Sequence, residues 1–194
     1  MLLNDAAATS RAMAASPVDP DYIKSLAAPG KTILVIEYYD GGGKVSARKG
    51  YASATGFRAE SATDIRVDAA TTLHLYGLEP CRGEMVNKRE NFSGSCERFG
   101  QQRLQSLVRS PKVILCRAFL SEENAPKQDV TCFGYYNFPG TLDSVDNFEK
   151  QLLSLGALRI ANKPDGSSLR PDLVPAEMIG RLGYGMWADP RTEP

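Results

Sequence analysis

The chain has 194 residues, of which 42% are hydrophobic and 24% are charged. This balance is typical of a globular domain that buries its own core, so it excludes a disordered or fibrous chain. The 23 Lys and Arg residues are matched by 23 Asp and Glu residues, and this zero net charge disfavours non-specific nucleic-acid binding. Because His74 is the single histidine, sites that need two or more imidazoles are also excluded.

The first 30 residues are rich in Ala, Ser and Pro, and they predict an extended or disordered arm over 1–30. Residues 1–16 contain Asn4, Asp5 and Arg11 and have no continuous apolar core, a pattern that differs from an intact signal peptide. No segment approaches 18 uninterrupted apolar residues, so no membrane span is predicted.

Strand signals begin directly after this arm. A β-branched and aromatic run at 31–39, a turn signal at 40–43 and weaker alternation over 45–57 predict a β-hairpin extension covering 31–58. Further strands are predicted at 64–67, 71–78, 112–119 and 130–136.

Helical spacing of apolar residues marks three later segments. The first helix is predicted over 96–109. The second begins at Asp143 or Ser144 and ends at Gly156, and the third covers about 175–182. Strands, a helix, two strands and two more helices, in that order, predict an α+β fold around a small antiparallel sheet or barrel.

Several segments resemble, in order and spacing, motifs of the staphylococcal-nuclease-like (thermonuclease) family. They are LHLYGLEPC at 73–81, CERFGQQRLQSLV at 96–108, VILC at 113–116 with PKQDVTC at 126–132, VDNFEKQLLSLGALRI at 145–160, and PAEMIGRLGYGMWADP at 175–190. The resemblance covers residues 59–190. It implies a five-stranded OB-fold β-barrel with flanking helices, preceded by the N-terminal arm and the β-hairpin extension.

The four cysteines form an even set without a CxxC pair, which suggests disulfides. The resemblance implies the pairs Cys81–Cys96 and Cys116–Cys132. Each bond would close a loop of about fifteen residues, for which chain entropy gives roughly 3 kcal/mol. Disulfides imply an oxidising compartment, so a periplasmic or secreted protein is expected. The alternative is four reduced core cysteines in a cytosolic protein.

The resemblance also implies where phosphate-binding chemistry would lie. Enzymes of the family use two arginines to neutralise charge that develops on the phosphate. In this chain His74 occupies one of these positions and Lys127 the other. A lysine supplies charge without the planar, bidentate fork of arginine. Loss of one preorganised charge donor commonly costs about 10²-fold in rate.

The acidic positions of the family are degenerate as well. Asp64 and Glu79 are the candidate ligands of a weak calcium site, since carboxylate oxygens are the ligands that calcium prefers, and the favoured alternative is that both are solvated carboxylates at strand ends. The position of the family's general base falls on Cys81 or Arg82, and Glu84 is the nearest acidic substitute. No ordinary nuclease activity is therefore expected, and His74, Glu79, Glu84 and Lys127 are interpreted as vestigial positions.

These observations predict a non-catalytic domain that is a structural or protein-binding component of an extracytoplasmic assembly. Protein partners are expected to bind the N-terminal extension, by strand addition or wrapping. No cofactor is expected, and nucleic acid is not the expected partner.

Two other functions are kept as alternatives. One is a calcium-dependent phosphodiesterase or nuclease with a rearranged active site built from Asp64, Glu79, Glu84 and Lys127. The other is a module that binds single-stranded nucleic acid or polysaccharide, because OB barrels present a groove for such chains. The predicted stacking residues of that groove are Tyr76, Phe133, Tyr135 and Tyr136.

Overall fold

A computed structural model describes residues 17–191 as a mixed α+β fold built mainly on β-structure. The strands are β1 (Thr32–Tyr39), β2 (Val45–Ser53), β3 (Arg58–Ala59), β4 (Asp64–Arg66), β5 (Thr72–Leu75), β6 (Leu78–Glu79), β7 (Glu84–Asn87), β8 (Phe92–Ser95), β9 (Val113–Phe119), β10 (Lys127–Tyr136), β11 (Ser144–Asn147) and β12 (Arg159–Ile160). The α-helices are α1 (Pro20–Ser25), α2 (Cys96–Arg109), α3 (Phe148–Ser154) and α4 (Val174–Gly180). Short 3₁₀ helices cover Leu120–Glu122, Pro171–Leu173 and Gly185–Ala188. The predicted α+β class is confirmed.

The main sheet has eight strands in the order β2-β1-β9-β10-β5-β4-β3, with β11 paired to β10 beside this path. The β1–β9 and β5–β10 pairs are parallel, and the other pairs of this sheet are antiparallel. Across residues 17–191 the strand order does not close on itself, so the described residues form an open sheet and no closed barrel. Strand β1 extends this sheet by pairing with β9.

The hairpin predicted over 31–58 is present as β1 and β2. Its turn is held by Asp40, whose side chain accepts hydrogen bonds from the backbone N–H groups of Gly42 and Lys44, each at 2.9 Å. The other edge of β1 pairs with β9, and its Leu34, Ile36 and Tyr38 side chains lie in the larger apolar cluster, which we call the main core. The hairpin is therefore integrated into the sheet and the core.

Helix α1 covers a smaller apolar cluster on the other face of the sheet. The side chain of Asp19 caps its start by accepting from Asp21 N at 2.9 Å. Ile23 is fully buried against Val35 and the aromatic rings of β10. The prediction of an extended or disordered arm is therefore wrong for residues 20–25, because Ile23 has an apolar surface to pack on. The part of that prediction over residues 1–16 lies outside the described residues.

The later helices match the predicted pattern with one shift. Helix α2 has the predicted bounds, and the Ser95 side chain caps it by accepting from Arg98 N at 3.2 Å. Helix α3 begins after Asn147 rather than at Asp143 or Ser144. The difference arises because β11 pairs with β10 before the helix starts.

Two disulfides, Cys81–Cys96 and Cys116–Cys132, are present as predicted. The second joins residues that lie directly opposite each other on β9 and β10. Disulfides persist in oxidising compartments, so the pairing indicates an extracytoplasmic location. Among residues 17–191, none of the helices has both the length and the apolar character needed to cross a membrane.

Candidate functional site

Asp64, His74 and Lys127, three of the residues singled out from the sequence, meet on adjacent strands of the main sheet. Asp64 on β4 lies opposite His74 on β5, and His74 lies opposite Asp129 on β10. His74 Nδ1 is 2.6 Å from Asp64 Oδ1, and Lys127 Nζ donates to Asp64 Oδ2 at 2.9 Å. We refer to Asp64, His74, Lys127 and Asp129 as the Asp64 cluster.

Strand alternation explains why this cluster lies away from the main core. Leu73 and Leu75 are fully buried on either side of His74, so the imidazole points to the opposite face of β5. Ile65 is likewise buried next to Asp64 on β4. Strand β5 therefore has a buried face with Leu73 and Leu75 and an opposite face that carries His74.

The Asp64 carboxylate is held in its charged form. Burial raises its pKa, but hydrogen bonds from Lys127 and His74 outweigh that effect and hold the pKa of Asp64 below its usual value. Because an ionised carboxylate only accepts hydrogen bonds, His74 must carry a proton on Nδ1 to donate to it. Asp64 therefore fixes the tautomer of His74. One Asp64 carboxylate oxygen is bound by His74 and the other by Lys127.

Asp129 adds a second carboxyl group, which the sequence interpretation missed. Burial raises the pKa of Asp129, and the nearby Glu122 carboxylate raises it further. The backbone N–H of Asp129 donates to Glu122 at 3.1 Å, which brings the two acidic side chains to the same end of β10. Asp129 lies two residues after Lys127 on β10, so strand alternation places both side chains on the same face.

Glu79 and Glu84 lie outside the main sheet. Glu79 is on β6, which pairs with β12, and its carboxylate accepts from Arg159 Nε at 2.9 Å. Glu84 is exposed at the start of β7. Among residues 17–191, no group of three or more His, Cys, Asp or Glu side chains is arranged to hold a metal ion. Asp64 and Glu79, the predicted calcium ligands, instead bind separate cationic side chains of the chain itself.

The predicted aromatic groove is wrong as a common stacking surface. Phe133 and Tyr135 lie under α1, on the floor of a groove of 790 Å³, and both rings are buried. Tyr136 lies in the main core on the opposite face, as strand alternation requires. The Tyr135 hydroxyl donates to Asp143 at 2.9 Å. Tyr76 is thus the one predicted stacking residue that is not buried.

A buried polar network lies where β10 changes partners, and the sequence interpretation missed it. Strand β10 pairs with β5 up to Val130 and with β11 from Phe133 onward. In this gap the backbone N–H of Cys132 donates to both carboxylate oxygens of Glu149, at 3.2 and 3.3 Å. Burial raises the pKa of Glu149 to about 7. On this edge of β10, opposite the edge that pairs with β9, the carboxylate of Glu149 takes the place of a strand partner for Cys132 N.

Arg170 completes this network from the loop before α4. Its guanidinium donates to Tyr76 O at 3.2 Å and to the Thr131 hydroxyl at 3.4 Å, and it forms two hydrogen bonds to Asp172 at 3.0 and 2.9 Å. The charge of Arg170 also opposes the rise in the pKa of Glu149. The loop that carries Arg170 is therefore connected to Tyr76 after β5, to Thr131 on β10 and to Glu149 at the start of α3.

No protein-family model matches the chain, and no curated protein matches it in sequence.

Proposed function

We propose that the chain is a non-catalytic, thermonuclease-like OB-fold domain that acts as a structural or protein-binding component of a periplasmic or secreted assembly. The observation that carries this proposal is that both oxygens of Asp64 are engaged, one by His74 and the other by Lys127. A catalytic metal site keeps open positions for the metal and the substrate. Here the retained carboxylate is satisfied by neighbouring side chains.

The charge donors support the same proposal. His74 and Lys127 stand at the positions that the resemblance assigns to arginines, and both are directed at Asp64. Neither presents the planar fork that binds two phosphate oxygens at once. The thermonuclease-like assignment itself is supported by the five matching segments and by the two disulfides, which pair as the resemblance implies.

A cleavage assay tests the loss of catalysis. The purified full chain is incubated with calcium and single-stranded DNA beside an Asp64→Ala variant. We expect no calcium-dependent cleavage by either protein. Cleavage by the wild-type chain that disappears in Asp64→Ala would contradict the proposal.

The edge of β2 supports a protein-binding role. This nine-residue strand stands at one end of the strand order, so among residues 17–191 one of its edges faces no strand of the sheet. Ser46, Gly50 and Ala52 are small and exposed, and the exposed Arg48 lies between them on the same face. An extended segment of another protein can add to such an edge through main-chain hydrogen bonds.

Co-purification under mild conditions tests this second part. The full chain is compared with Ala52→Lys, because lysine on an edge strand opposes strand addition. We expect recovery of the partner to fall several-fold for Ala52→Lys and to stay unchanged for Leu142→Lys, a control on an exposed turn. Recovery of the same partner by all three proteins, or of none by the wild type, would contradict binding at β2.

A second candidate is a phosphodiesterase that uses the Asp64 cluster for acid–base chemistry. Asp64 orients His74, and Lys127 supplies a positive charge beside them, which together form an acid–base pair with a charge donor. The cleavage assay separates this candidate from the first. The burial of Phe133, Tyr135 and Tyr136 leaves the nucleic-acid or polysaccharide alternative without its expected stacking surface.

A further inference from the structure

A pocket of 680 Å³ lies between the end of β7 and the last described residues of the chain. One wall consists of residues 86–89, and the other consists of Gly183 and residues 187–191. We call it the Trp187 pocket. Its volume is in the range of sites that hold small organic molecules.

Two buried polar side chains hold the walls of this pocket together. Asn87 is 1% exposed, and its side chain donates to Gly185 O at 3.1 Å. Asp189 is 3% exposed, and its carboxylate accepts from Val86 N at 2.7 Å. Each of these bonds joins the β7 side of the pocket to the segment that carries Trp187. The pocket is therefore already formed in the folded chain.

The Trp187 pocket carries an excess of positive charge. Lys88 and Arg89 are exposed in its lining, and in the described part of the chain neither forms an ion pair. Asp189, the acidic residue of the lining, is bound by Arg191 at 2.6 Å. Glu90, the next residue after Arg89, is paired with an arginine of α2. Both adjacent carboxylates are thus committed to other cations, which leaves two positive charges for a ligand.

The wall opposite these cations is aromatic and apolar. Trp187 packs against the main core, Arg181 lies 4.6 Å over its ring, and Val86, Ala188 and Pro190 continue the apolar lining. The indole Nε1 of Trp187 is buried, and none of the residues that the structure describes accepts a hydrogen bond from it. Buried donors are normally paired by the protein, by water or by a bound group. This wall therefore favours a ligand that has an acceptor beside an apolar body.

We propose that the Trp187 pocket binds a small organic anion, with its carboxylate or phosphate group at Lys88 and Arg89 and its ring against Trp187. The planar fork of an arginine and the compact charge of a lysine both suit oxyanions. A bare inorganic ion would leave the aromatic wall and most of the pocket without contacts, so an anion with a ring-sized body is favoured. The inference goes beyond the proposed function, because it uses no residue of the Asp64 cluster or of β2.

Trp187 supplies the reporter for a binding test. It is the single tryptophan of the chain, so its indole N–H gives one signal in a nitrogen–proton correlation NMR spectrum. The full chain is titrated at low salt with benzoate and with glucuronate, which carry one carboxylate on an aromatic ring and on a sugar ring. Benzyl alcohol and glucose are their uncharged counterparts. All four probes are taken to about 50 mM, which covers weak association.

We expect at least one of the two anions to shift the indole signal in a saturable way. The uncharged counterpart of that anion is expected to bind about tenfold more weakly or not at all, because it lacks the charge that Lys88 and Arg89 attract. Which of the two anions binds more tightly identifies the aromatic or the sugar ring as the preferred body. No saturable shift with either anion would overturn the proposal, and so would equal affinity for an anion and its uncharged counterpart.

Charge-removing variants locate the bound anion. Lys88→Gln and Arg89→Gln are each expected to raise the dissociation constant several-fold, and the other signals of the spectrum show that the variants fold. Lys31→Gln is the matched control, since Lys31 is exposed before β1 and does not line the pocket. Unchanged affinity in both Lys88→Gln and Arg89→Gln would overturn the proposal. An equal loss of affinity in Lys31→Gln would overturn it as well, because it would show attraction by overall charge.

Discussion

Two carboxyl groups beside β10, Asp64 and Glu149, carry opposite pKa shifts. Asp64 keeps some exposure and has two basic side chains against it, so its pKa is lowered. Glu149 has no exposure and accepts mainly from a backbone N–H, so burial raises its pKa to about 7. The comparison teaches that direct cationic partners, rather than depth alone, decide whether a carboxylate near this strand is stably charged.

The largest expected effect comes from removing the cation of the buried network. Arg170→Ala leaves Asp172, Thr131 and the Tyr76 carbonyl without their donor and removes the charge that favours ionised Glu149. Loss of one partner from a buried charge network typically costs about 3–5 kcal/mol. We expect a fall of that size in the free energy of unfolding, measured in urea with the disulfides intact.

Arg58→Ala is the control for that measurement. Arg58 forms an exposed ion pair with Glu60 at 4.0 Å, and its side chain is 73% exposed. Its removal should change the free energy of unfolding by less than about 1 kcal/mol. Equal effects of the two substitutions would show that the buried Arg170 network stabilises the fold no more than the exposed Arg58–Glu60 ion pair does.

The next effect is a pH dependence from Glu149. Its pKa of about 7 in the folded chain lies above its ordinary value of 4.5, so the folded state holds a proton that the unfolded state releases between these pH values. The stabilisation by the neutral form is complete below pH 4.5 and is lost as the pH rises through 7. Integrated over that window, the loss amounts to roughly 3 kcal/mol.

Glu149→Gln removes this titration while keeping an acceptor for Cys132 N. We expect its free energy of unfolding to change less than that of the wild type between pH 4.5 and 7. Urea unfolding at several pH values measures the difference between the two slopes. Parallel pH profiles would contradict the raised pKa of Glu149.

The pH dependence of stability that Asp64 contributes has the opposite sign to that of Glu149 and is smaller, and Asp64→Asn tests it. Because the pKa of Asp64 is lowered in the folded chain, its charge stabilises the fold above the ordinary pKa of 3.8, and that stabilisation is lost as the pH falls below it. We expect Asp64→Asn to lower the free energy of unfolding by about 1–2 kcal/mol at neutral pH and by less at about pH 3. A loss that is the same at both pH values would point to packing instead of charge.

The smallest effect is expected for Lys127→Ala. The Lys127 side chain is 53% exposed, so water and salt screen its pair with Asp64. We expect a loss of less than about 1 kcal/mol that shrinks in high salt. A larger loss that does not depend on salt would show that the Asp64–Lys127 pair is shielded from solvent, as the Arg170 network is.

The features predictable from sequence were those with local signals. The hairpin of β1 and β2 follows from its turn residues, and α2 follows from its apolar spacing. The proximity of Asp64, His74 and Lys127 was implied by the resemblance and needed the β4–β5–β10 pairing to become visible.

Features that depend on distant parts of the chain were missed. Glu149 was not singled out from the sequence, because nothing in its own segment reveals the gap in the β10 ladder. Arg170 lies in an irregular loop, where no periodicity marks it as buried. Helix α1 was missed because its six residues are too few for a clear pattern.

The parallel pairing of β1 with β9 has a consequence for how the chain folds. Ile33 pairs with Val113, so the pairing that joins the β1–β2 hairpin to the rest of the sheet connects residues 80 positions apart in the sequence (113 − 33). Closing so long a loop is entropically costly before any contact compensates for it, which slows folding. Stopped-flow refolding should therefore show a slow main phase, in which the pairing of β1 with β9 forms last.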